Sequence, residues 1–144
     1  QAFHWFDTVA ARQELARIVR PPGLIALIWN DRETESTAFL RDYESFLRTH
    51  CPEYTRVSSK WADEPRIRAF FAPAEVQRAQ FPNDQDMDFE GLRGRLMSSS
   101  YAPKDGPLHE SMLAELRRIF DLHANGGTVR ISYLTNVYFG LVHG

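Results

Sequence analysis

A chain of 144 residues with a formal net charge of −2 and 25% charged residues has the composition of a soluble globular protein with one hydrophobic core. Its charge excludes the strongly basic surface of nucleic-acid-binding proteins, because the arginines are scattered rather than clustered. No apolar run approaches the roughly 20 residues that span a bilayer, so we expect neither nucleic acid nor membrane as a partner.

The cysteine and histidine content argues against two kinds of site, disulfide bonds and bound metal ions. The single cysteine, Cys51, excludes an internal disulfide framework and is typical of the reducing cytoplasm, where we expect this protein. The histidines show no spacing typical of metal ligands, so no metal site is expected. The chain begins at Gln1 rather than at a methionine, and we expect further sequence upstream or a trimmed start.

The first thirty residues predict a helix followed by a strand. Asp7 is a candidate N-cap, and "RPPG" at 20–23 ends the helix because proline lacks an amide hydrogen. The run "LIALIW" at 24–29 predicts a central strand buried on both faces, as in a parallel sheet. The segment "NDRET" at 30–34 then predicts a polar loop at the carboxyl end of that strand, where open α/β sheets bind ligands.

The middle of the chain predicts two helices and a strand. Residues 37–49 form an amphipathic helix, residues 51–65 are polar, and residues 76–82 predict a strand with loose alternation. The acidic run at 84–90 predicts a solvated loop, followed by a short helix at about 89–97. The apolar face of the first of these helices consists of Phe39, Tyr43, Phe46 and Leu47.

The last third predicts a long helix and a long strand. The helix runs from Pro107 to His123, and "NGG" at 125–127 ends it. The tail at 128–142 is rich in β-branched and aromatic residues and predicts a strand, with Tyr133 and Tyr138 in the core. The element order is typical of an α/β fold, but a buried strand needs neighbours and no glycine-rich nucleotide loop is present. The predicted sheet lacks its first half.

Several separated stretches resemble a known family. "QAFHWFD…ARIVRPPGLIALIWNDR", "FPNDQDMDFEGLRGRLMSSSYAP" and "YLTNVYFG" are similar to class I S-adenosylmethionine-dependent methyltransferases, most closely the methyltransferase-11/UbiE-like small-molecule group. The resemblance covers essentially the whole chain, with Pro22 replacing the first glycine of a "PGG" turn. It implies the C-terminal half of a Rossmann-like sheet, strands 4/5 to 7, with flanking helices and a helical insert before the last strand.

The same resemblance implies a missing half. Residues 1–144 would be a single partial domain, because the family's main cofactor-binding loops precede the stretch that matches Gln1. The chain alone would therefore bind S-adenosylmethionine weakly or not at all and would be inactive by itself.

The resemblance also assigns site residues. Gln1, Ala2 and Trp5 would contact the cofactor, since an aromatic face suits a sulfonium, and His4 is a candidate general base. Core packing is the structural alternative for this aromatic stretch. Residues assigned to the small-molecule acceptor are Phe6, Asn30, Arg32, Arg95, Ser100 and Tyr101. The structural alternatives are a solvated loop for Asn30 and Arg32, and a helix C-terminus capped by serine hydroxyls for the "SSSY" segment.

Two functions of different classes remain open. In the first, the parent protein transfers a methyl group from S-adenosylmethionine to a small molecule, and this chain supplies the acceptor side. In the second, the chain is a non-catalytic, truncated α/β module. An unpaired strand edge would then lead to self-association, such as a homodimer.

Overall fold

The computed structural model describes residues 2–58 and 64–142, which form three strands, six α-helices and one short 3₁₀ helix. The strands are β1 (Leu24–Arg32), β2 (Gln77–Met87) and β3 (Val129–Leu141). A 3₁₀ helix at Phe3–Trp5 precedes the α-helices, which are α1 (Thr8–Ile18), α2 (Ala38–His50), α3 (Tyr54–Ser58), α4 (Glu64–Phe71), α5 (Phe89–Ser98) and α6 (Gly106–His123). None of the helices in the described part is long and apolar enough to cross a bilayer.

The chain divides into two compact units. Unit 1 comprises Gln1–Asp31, Lys60–Pro82 and Leu134–Gly144, and unit 2 comprises Arg32–Ser59 and Asn83–Tyr133. The strands are hydrogen-bonded in the order β1-β3-β2. Backbone and side-chain bonds pair Val142 with Gly23 and Thr135 with Asn30, so β3 runs antiparallel to β1.

Unit 1 has an aromatic core. Phe3 makes edge-to-face contacts with Trp29 and Phe70, at centroid distances of 6.0 and 5.1 Å, and Trp29 contacts Tyr138 in the same way. Helix α1 packs against α4, although none of its own residues is fully buried. The remaining buried apolar residues of this core are Ile25, Ile67, Phe71 and Val142.

Unit 2 has the larger core, built where α2 packs against α6 and α6 against α5. The predicted apolar face of α2 is confirmed, since all four of its residues are buried, and Thr37 caps the helix with its side chain. Helix α6 contributes Met112, Leu116, Ile119 and Phe120. The free thiol of Cys51 is buried against the Met112 sulfur at 3.8 Å.

The prediction that β1 is a central strand buried on both faces is wrong for the described residues. Strand β1 stands at one end of the strand order, and β3 is the central strand. Leu24 and Ile28 are 61% and 52% exposed, whereas Ile25 and Trp29 are buried. The continuous apolar run thus forms a strand with only one face covered. The prediction failed because periodicity alone does not show whether a second layer covers the other face.

The predicted loop at 30–34 is also corrected. Strand β1 continues to Arg32, because Asn30 and Asp31 bond to side chains of β3. The acidic segment is a strand rather than a solvated loop, since β2 runs to Met87 and Asp86 pairs with Arg130. Helix α4 (Glu64–Phe71) was not predicted from the sequence.

The other boundaries agree with the sequence. Asp7 caps α1 by accepting bonds from the Val9 and Ala10 amides at 3.0 and 3.1 Å. Helices α5 and α6 begin and end within one residue of their predicted limits. Gly126 and Gly127 adopt positive φ angles of 60° and 81°, which few other residues adopt, and so reverse the chain into β3.

Gly140 of β3 gives a direct test of the packing in unit 1. An added Cβ would lie 2.9 Å from a Phe71 ring carbon and 3.0 Å from the Glu75 carbonyl oxygen. We expect Gly140→Ala to lower the free energy of unfolding by about 1–3 kcal/mol, because neither neighbour moves freely. Urea denaturation measures the change. Gly94→Ala in α5 is the matched control, since nothing lies within 4 Å; it should raise stability by about 0.5–1 kcal/mol. Equal stabilities of the Gly140 variant and the wild type would contradict the packing.

Candidate functional site

The aromatic start of the chain belongs to unit 1. The His4 ring lies against Trp5 at a centroid distance of 4.8 Å, and Phe3 is buried in the core. Arg66 of α4 donates to the carbonyl oxygens of His4 and Phe6 at 3.2 and 2.6 Å, so its guanidinium fixes the backbone of this segment. Trp5 is 72% exposed and Phe6 is half exposed. Core packing therefore explains Phe3, while Trp5 and Phe6 present their rings outward.

The residues assigned to the cofactor provide at most one wall of a site. Gln1 lies outside the described residues, and Ala2 is exposed and carries only a methyl group. The exposed indole of Trp5 offers an aromatic face that suits a sulfonium cation. Since the described residues leave most of that ring uncovered, they fit S-adenosylmethionine only in part.

Asn30 is held in a polar network of unit 1. Its side-chain oxygen accepts a bond from the Thr135 hydroxyl at 2.7 Å. Next to it, the buried amide of Asn136 donates to Asp31 at 2.5 Å and accepts from Arg78 and Gln80 at 2.8 and 2.7 Å. These contacts tie the three strands together, so Asn30 is engaged within the sheet rather than in a solvated loop.

Arg32 begins unit 2 and lies at the centre of a buried ionic contact. Its guanidinium donates to the Glu44 carboxylate at 2.5 Å and to the Tyr54 hydroxyl at 2.9 Å, and the same hydroxyl donates to Glu44 at 2.7 Å. The Arg32 and Glu44 side chains are only 8% and 10% exposed. Arg48 adds a second cation to Glu44 at 2.8 Å. The loop predicted around Arg32 is thus replaced by a fully partnered, buried side chain.

Three more tyrosines and a second arginine surround this contact. Arg32 lies 5.2 Å from the centroid of the Tyr43 ring, and Arg95 of α5 lies 4.9 Å from that of Tyr133. Tyr101 meets Tyr54 edge to face at 5.1 Å. We call this set the Arg–Tyr cluster; its members are Arg32, Tyr43, Glu44, Tyr54, Arg95, Tyr101 and Tyr133. Three residues assigned to the acceptor from sequence, Arg32, Arg95 and Tyr101, are thus brought together in unit 2.

The cluster alters the acidity of its members. Burial raises the pKa of Tyr54 to about 12, and its hydrogen bond to Glu44 acts in the same direction. Burial also raises the pKa of Tyr43 and Tyr133, an effect that the nearby arginines only partly offset. For Glu44, burial favours the neutral acid, but bonds from Tyr54 and Arg32 outweigh it and lower the pKa. At neutral pH the cluster therefore holds hydroxyl donors and one carboxylate.

Ser100 does not share these contacts. Its side chain is exposed and makes no hydrogen bond to the described residues. The Ser98 and Ser99 hydroxyls donate to the Arg95 carbonyl oxygen at 2.7 and 3.3 Å, and Lys104 donates to the carbonyl oxygens of Met97 and Ser99. The end of α5 is therefore capped by local side chains, which is the structural alternative for this segment.

A cleft in unit 2, away from the Arg–Tyr cluster, was not recognised from the sequence. It has a volume of about 400 Å³ and contains His123, whose Nε2 lies 2.7 Å from Asp42 Oδ2. The Arg130–Asp86 pair, at 2.7 Å, lies on another wall. A carboxylate that orients an imidazole is an arrangement that general bases use. The His123–Asp42 contact also joins α2 to the last turn of α6, which is a structural role.

The helical periodicity of the sequence indicates that Glu44 lies on the buried face of α2. It is four residues after Leu40 and three before Leu47, so a helix places all three on one face. A charged residue on a buried face needs a partner of opposite charge. The sequence does not show that Arg32, twelve residues earlier, is that partner, because the contact depends on how the chain folds between the two residues.

Comparison with known proteins relates the chain to methyltransferases. A protein of Mycobacterium tuberculosis named an uncharacterized methyltransferase is 48% identical over 140 residues, which make up 94% of this chain and 53% of that protein. A Mycobacterium bovis protein of the same description matches equally. An uncharacterized methyltransferase-like protein of Schizosaccharomyces pombe is 33% identical over 107 residues, 72% of this chain and 40% of that protein.

These names confirm the predicted relationship to methyltransferases. The chain spans about half the length of the curated relatives it matches. No protein-family model matches it, so the narrower assignment to the UbiE-like group stays a prediction.

The buried carboxylate of Glu44 gives a pH-dependent prediction. Because its folded pKa is lowered, its stabilising effect is full above the ordinary glutamate pKa of about 4.3 and is lost as the pH falls through the folded value. We expect Glu44→Gln to lower the free energy of unfolding by about 2–3 kcal/mol at pH 7, and by progressively less below pH ~4. Urea denaturation at a series of pH values measures the difference.

Glu53→Gln is the matched control, because Glu53 pairs with Arg56 at the surface. It should change stability by less than about 0.5 kcal/mol at any pH. A constant difference between Glu44→Gln and the wild type from pH 7 to pH 3 would contradict the assignment of a charged, buried Glu44.

Proposed function

We propose, on the premise that the chain is related to methyltransferases over 94% of its length, that the whole protein transfers a methyl group from S-adenosylmethionine to a small-molecule acceptor. The identity of 48% to a protein named a methyltransferase is the observation that carries this proposal. In this function the chain supplies the acceptor side and part of the cofactor pocket. The protein would work in the cytoplasm.

The Arg–Tyr cluster is the part of the chain that suits an acceptor. Methyl transfer requires close, in-line approach of the acceptor, so residues that hold it in place contribute more than acid–base groups. Arg95 and the hydroxyls of Tyr101 and Tyr133 would supply donors, whereas the Tyr54 hydroxyl already donates to Glu44. The buried Arg32–Glu44 contact holds the neighbouring Tyr43 and Tyr54 rings in place. Asn30, Phe6 and Ser100 remain weaker candidates for the acceptor, since Asn30 already bonds Thr135.

S-adenosylmethionine, when bound, would supply an electrophilic methyl group on a sulfonium. Trp5 would face that cation, with Gln1 and Ala2 beside it. His4 is the candidate general base. Its ring already lies against Trp5, which would keep the two residues together.

Calorimetric titration with S-adenosylmethionine tests the cofactor assignment. We expect residues 1–144 to bind it with a dissociation constant above ~1 mM, because the described residues cover only part of a site. Where the gene encodes a longer product, that product should bind more tightly and form S-adenosylhomocysteine. In it, Trp5→Ala should weaken binding roughly 3- to 30-fold. Phe81→Ala, at another exposed aromatic residue of unit 1, is the control and should not.

Micromolar binding by residues 1–144 alone would overturn the partial site. Absence of binding by the longer product would overturn S-adenosylmethionine as the cofactor.

A second candidate function is a non-catalytic module that self-associates. Among the described residues, eight of the ten exposed large apolar side chains belong to unit 1. They are Trp5, Phe6, Val9, Ile18, Leu24, Ile28, Phe81 and Leu141. Strand β1, at one end of the strand order, carries two of them on its exposed face. A strand of that kind is a template for pairing with a second copy, which favours a homodimer through this edge.

Sedimentation velocity tests this second function. Residues 1–144 should form a dimer at high micromolar concentration, and the double variant Leu24→Lys/Ile28→Lys should be monomeric because lysines on an edge strand oppose pairing. Leu122→Lys, on an exposed position of α6 in unit 2, should leave the dimer intact. A wild-type chain that stays monomeric at every concentration would contradict self-association.

A further inference from the structure

Arg95 differs in its charge contacts from most arginines of unit 2. Ion pairs join the others to Glu44, Glu53, Glu90, Glu115, Asp86 or Asp121, and Arg41 donates to the Glu35 carbonyl oxygen. Arg95, half-buried in the last turn of α5, pairs with no carboxylate in the described part of the chain. Its guanidinium carbon lies over the face of the Tyr133 ring, 4.9 Å from the ring centroid. Its charge is therefore available to an anion.

The Tyr133 hydroxyl is also unsatisfied. The residue is 4% exposed, and its Oη is buried without a hydrogen-bond partner among the residues described. An unsatisfied buried hydroxyl lowers stability, so such a group in a folded protein calls for a specific explanation. A partner molecule that accepts a hydrogen bond at this position is one such explanation.

The charges around these two groups leave a positive excess. Glu44 is the carboxylate of the cluster, and Arg32, Arg48 and the Tyr54 hydroxyl already occupy it. Arg95 and Arg32 both act on the Tyr133 hydroxyl electrostatically, which places the hydroxyl in the field of two cations. A neutral acceptor would leave that excess uncompensated, whereas an anion would balance it.

We propose that Arg95 and Tyr133 together bind a carboxylate of the methyl acceptor, so that the acceptor is a small organic acid. This inference rests on the function proposed above and names its substrate class. A guanidinium presents parallel N–H donors that match a carboxylate, and a tyrosine hydroxyl adds a third donor to the same oxygens. The Tyr101 side chain interacts electrostatically with Tyr133, and its ring contacts Tyr54. This ring would flank the bound acid.

Saturation-transfer NMR of small acids in the presence of residues 1–144 tests the inference without the cofactor. The probes are benzoate and succinate, each compared with its neutral amide at constant ionic strength. We expect an acid to bind in the millimolar range and its amide to bind at least tenfold more weakly. Arg95→Gln should weaken binding of the acid at least tenfold, and Tyr133→Phe roughly threefold to tenfold.

Two controls separate binding from folding. Arg93→Gln removes the same charge two residues away on α5, where Arg93 pairs with Glu90 at 3.1 Å, and should leave acid binding unchanged. Tyr133→Phe should keep or raise the urea midpoint of the ligand-free chain, because it deletes an unsatisfied hydroxyl. A lower midpoint would assign that hydroxyl a structural role and overturn its place in the site.

Equal binding of acid and amide, an Arg95→Gln variant that binds as well as the wild type, or no binding of either acid would each overturn the inference. These outcomes differ from failure of the proposed function. If the longer product does not bind S-adenosylmethionine while the acids still bind through Arg95, the methyl-transfer proposal fails and the carboxylate site stands. If instead the longer product methylates neutral acceptors and Arg95→Gln does not change that activity, the methyl-transfer proposal stands and the carboxylate site fails.

Discussion

The buried pair of Arg32 and Glu44 is the contact on which the arrangement of unit 2 depends. Removal of two charges from water is costly, and it is tolerated only when each charge is fully bonded. Arg32 meets this condition through Glu44 and Tyr54, and Glu44 through Arg32, Arg48 and Tyr54. The end of β1, the middle of α2 and the start of α3 must therefore meet at one place. Any displacement would leave a buried charge without a partner.

This contact divides the two cluster arginines into different roles. Arg32 is neutralised and enclosed, so it acts as a structural cation that orients Glu44 and the Tyr43 and Tyr54 rings. Arg95 lies over the Tyr133 ring and forms no ion pair with any carboxylate of the described residues. Because Glu44 is already occupied, it cannot compensate Arg95 as well. This difference between the two arginines is the basis on which we propose that Arg95, and not Arg32, binds an anion.

The relationship to methyltransferases rests on the relatives, whereas the proposed acceptor site rests on the geometry of unit 2. The relatives are named methyltransferases, and the chain spans about half of their length. The Arg–Tyr cluster indicates what this part of the protein would hold. In unit 1 the indole of Trp5 is exposed, and Arg66 holds the backbone on either side of it by donating to the His4 and Phe6 carbonyl oxygens. An aromatic face of this kind suits a cation, and the donors of the cluster suit an acid.

The sequence by itself determined the helices with strong caps and apolar stripes, namely α1, α2, α5 and α6, and the long strand β3, because these depend on local chemistry and periodicity. It also predicted the relationship to methyltransferases, which the relatives confirm. Its assignment of Arg32, Arg95 and Tyr101 to an acceptor stays a prediction, although the structure places all three in one cluster. Only the tertiary structure decided that β1 lies at one end of the strand order, that the acidic segment is a strand, and that Glu44 neutralises Arg32. The physical reason is that strand pairing, burial of the second face and the partner of a buried charge are set by residues distant in sequence.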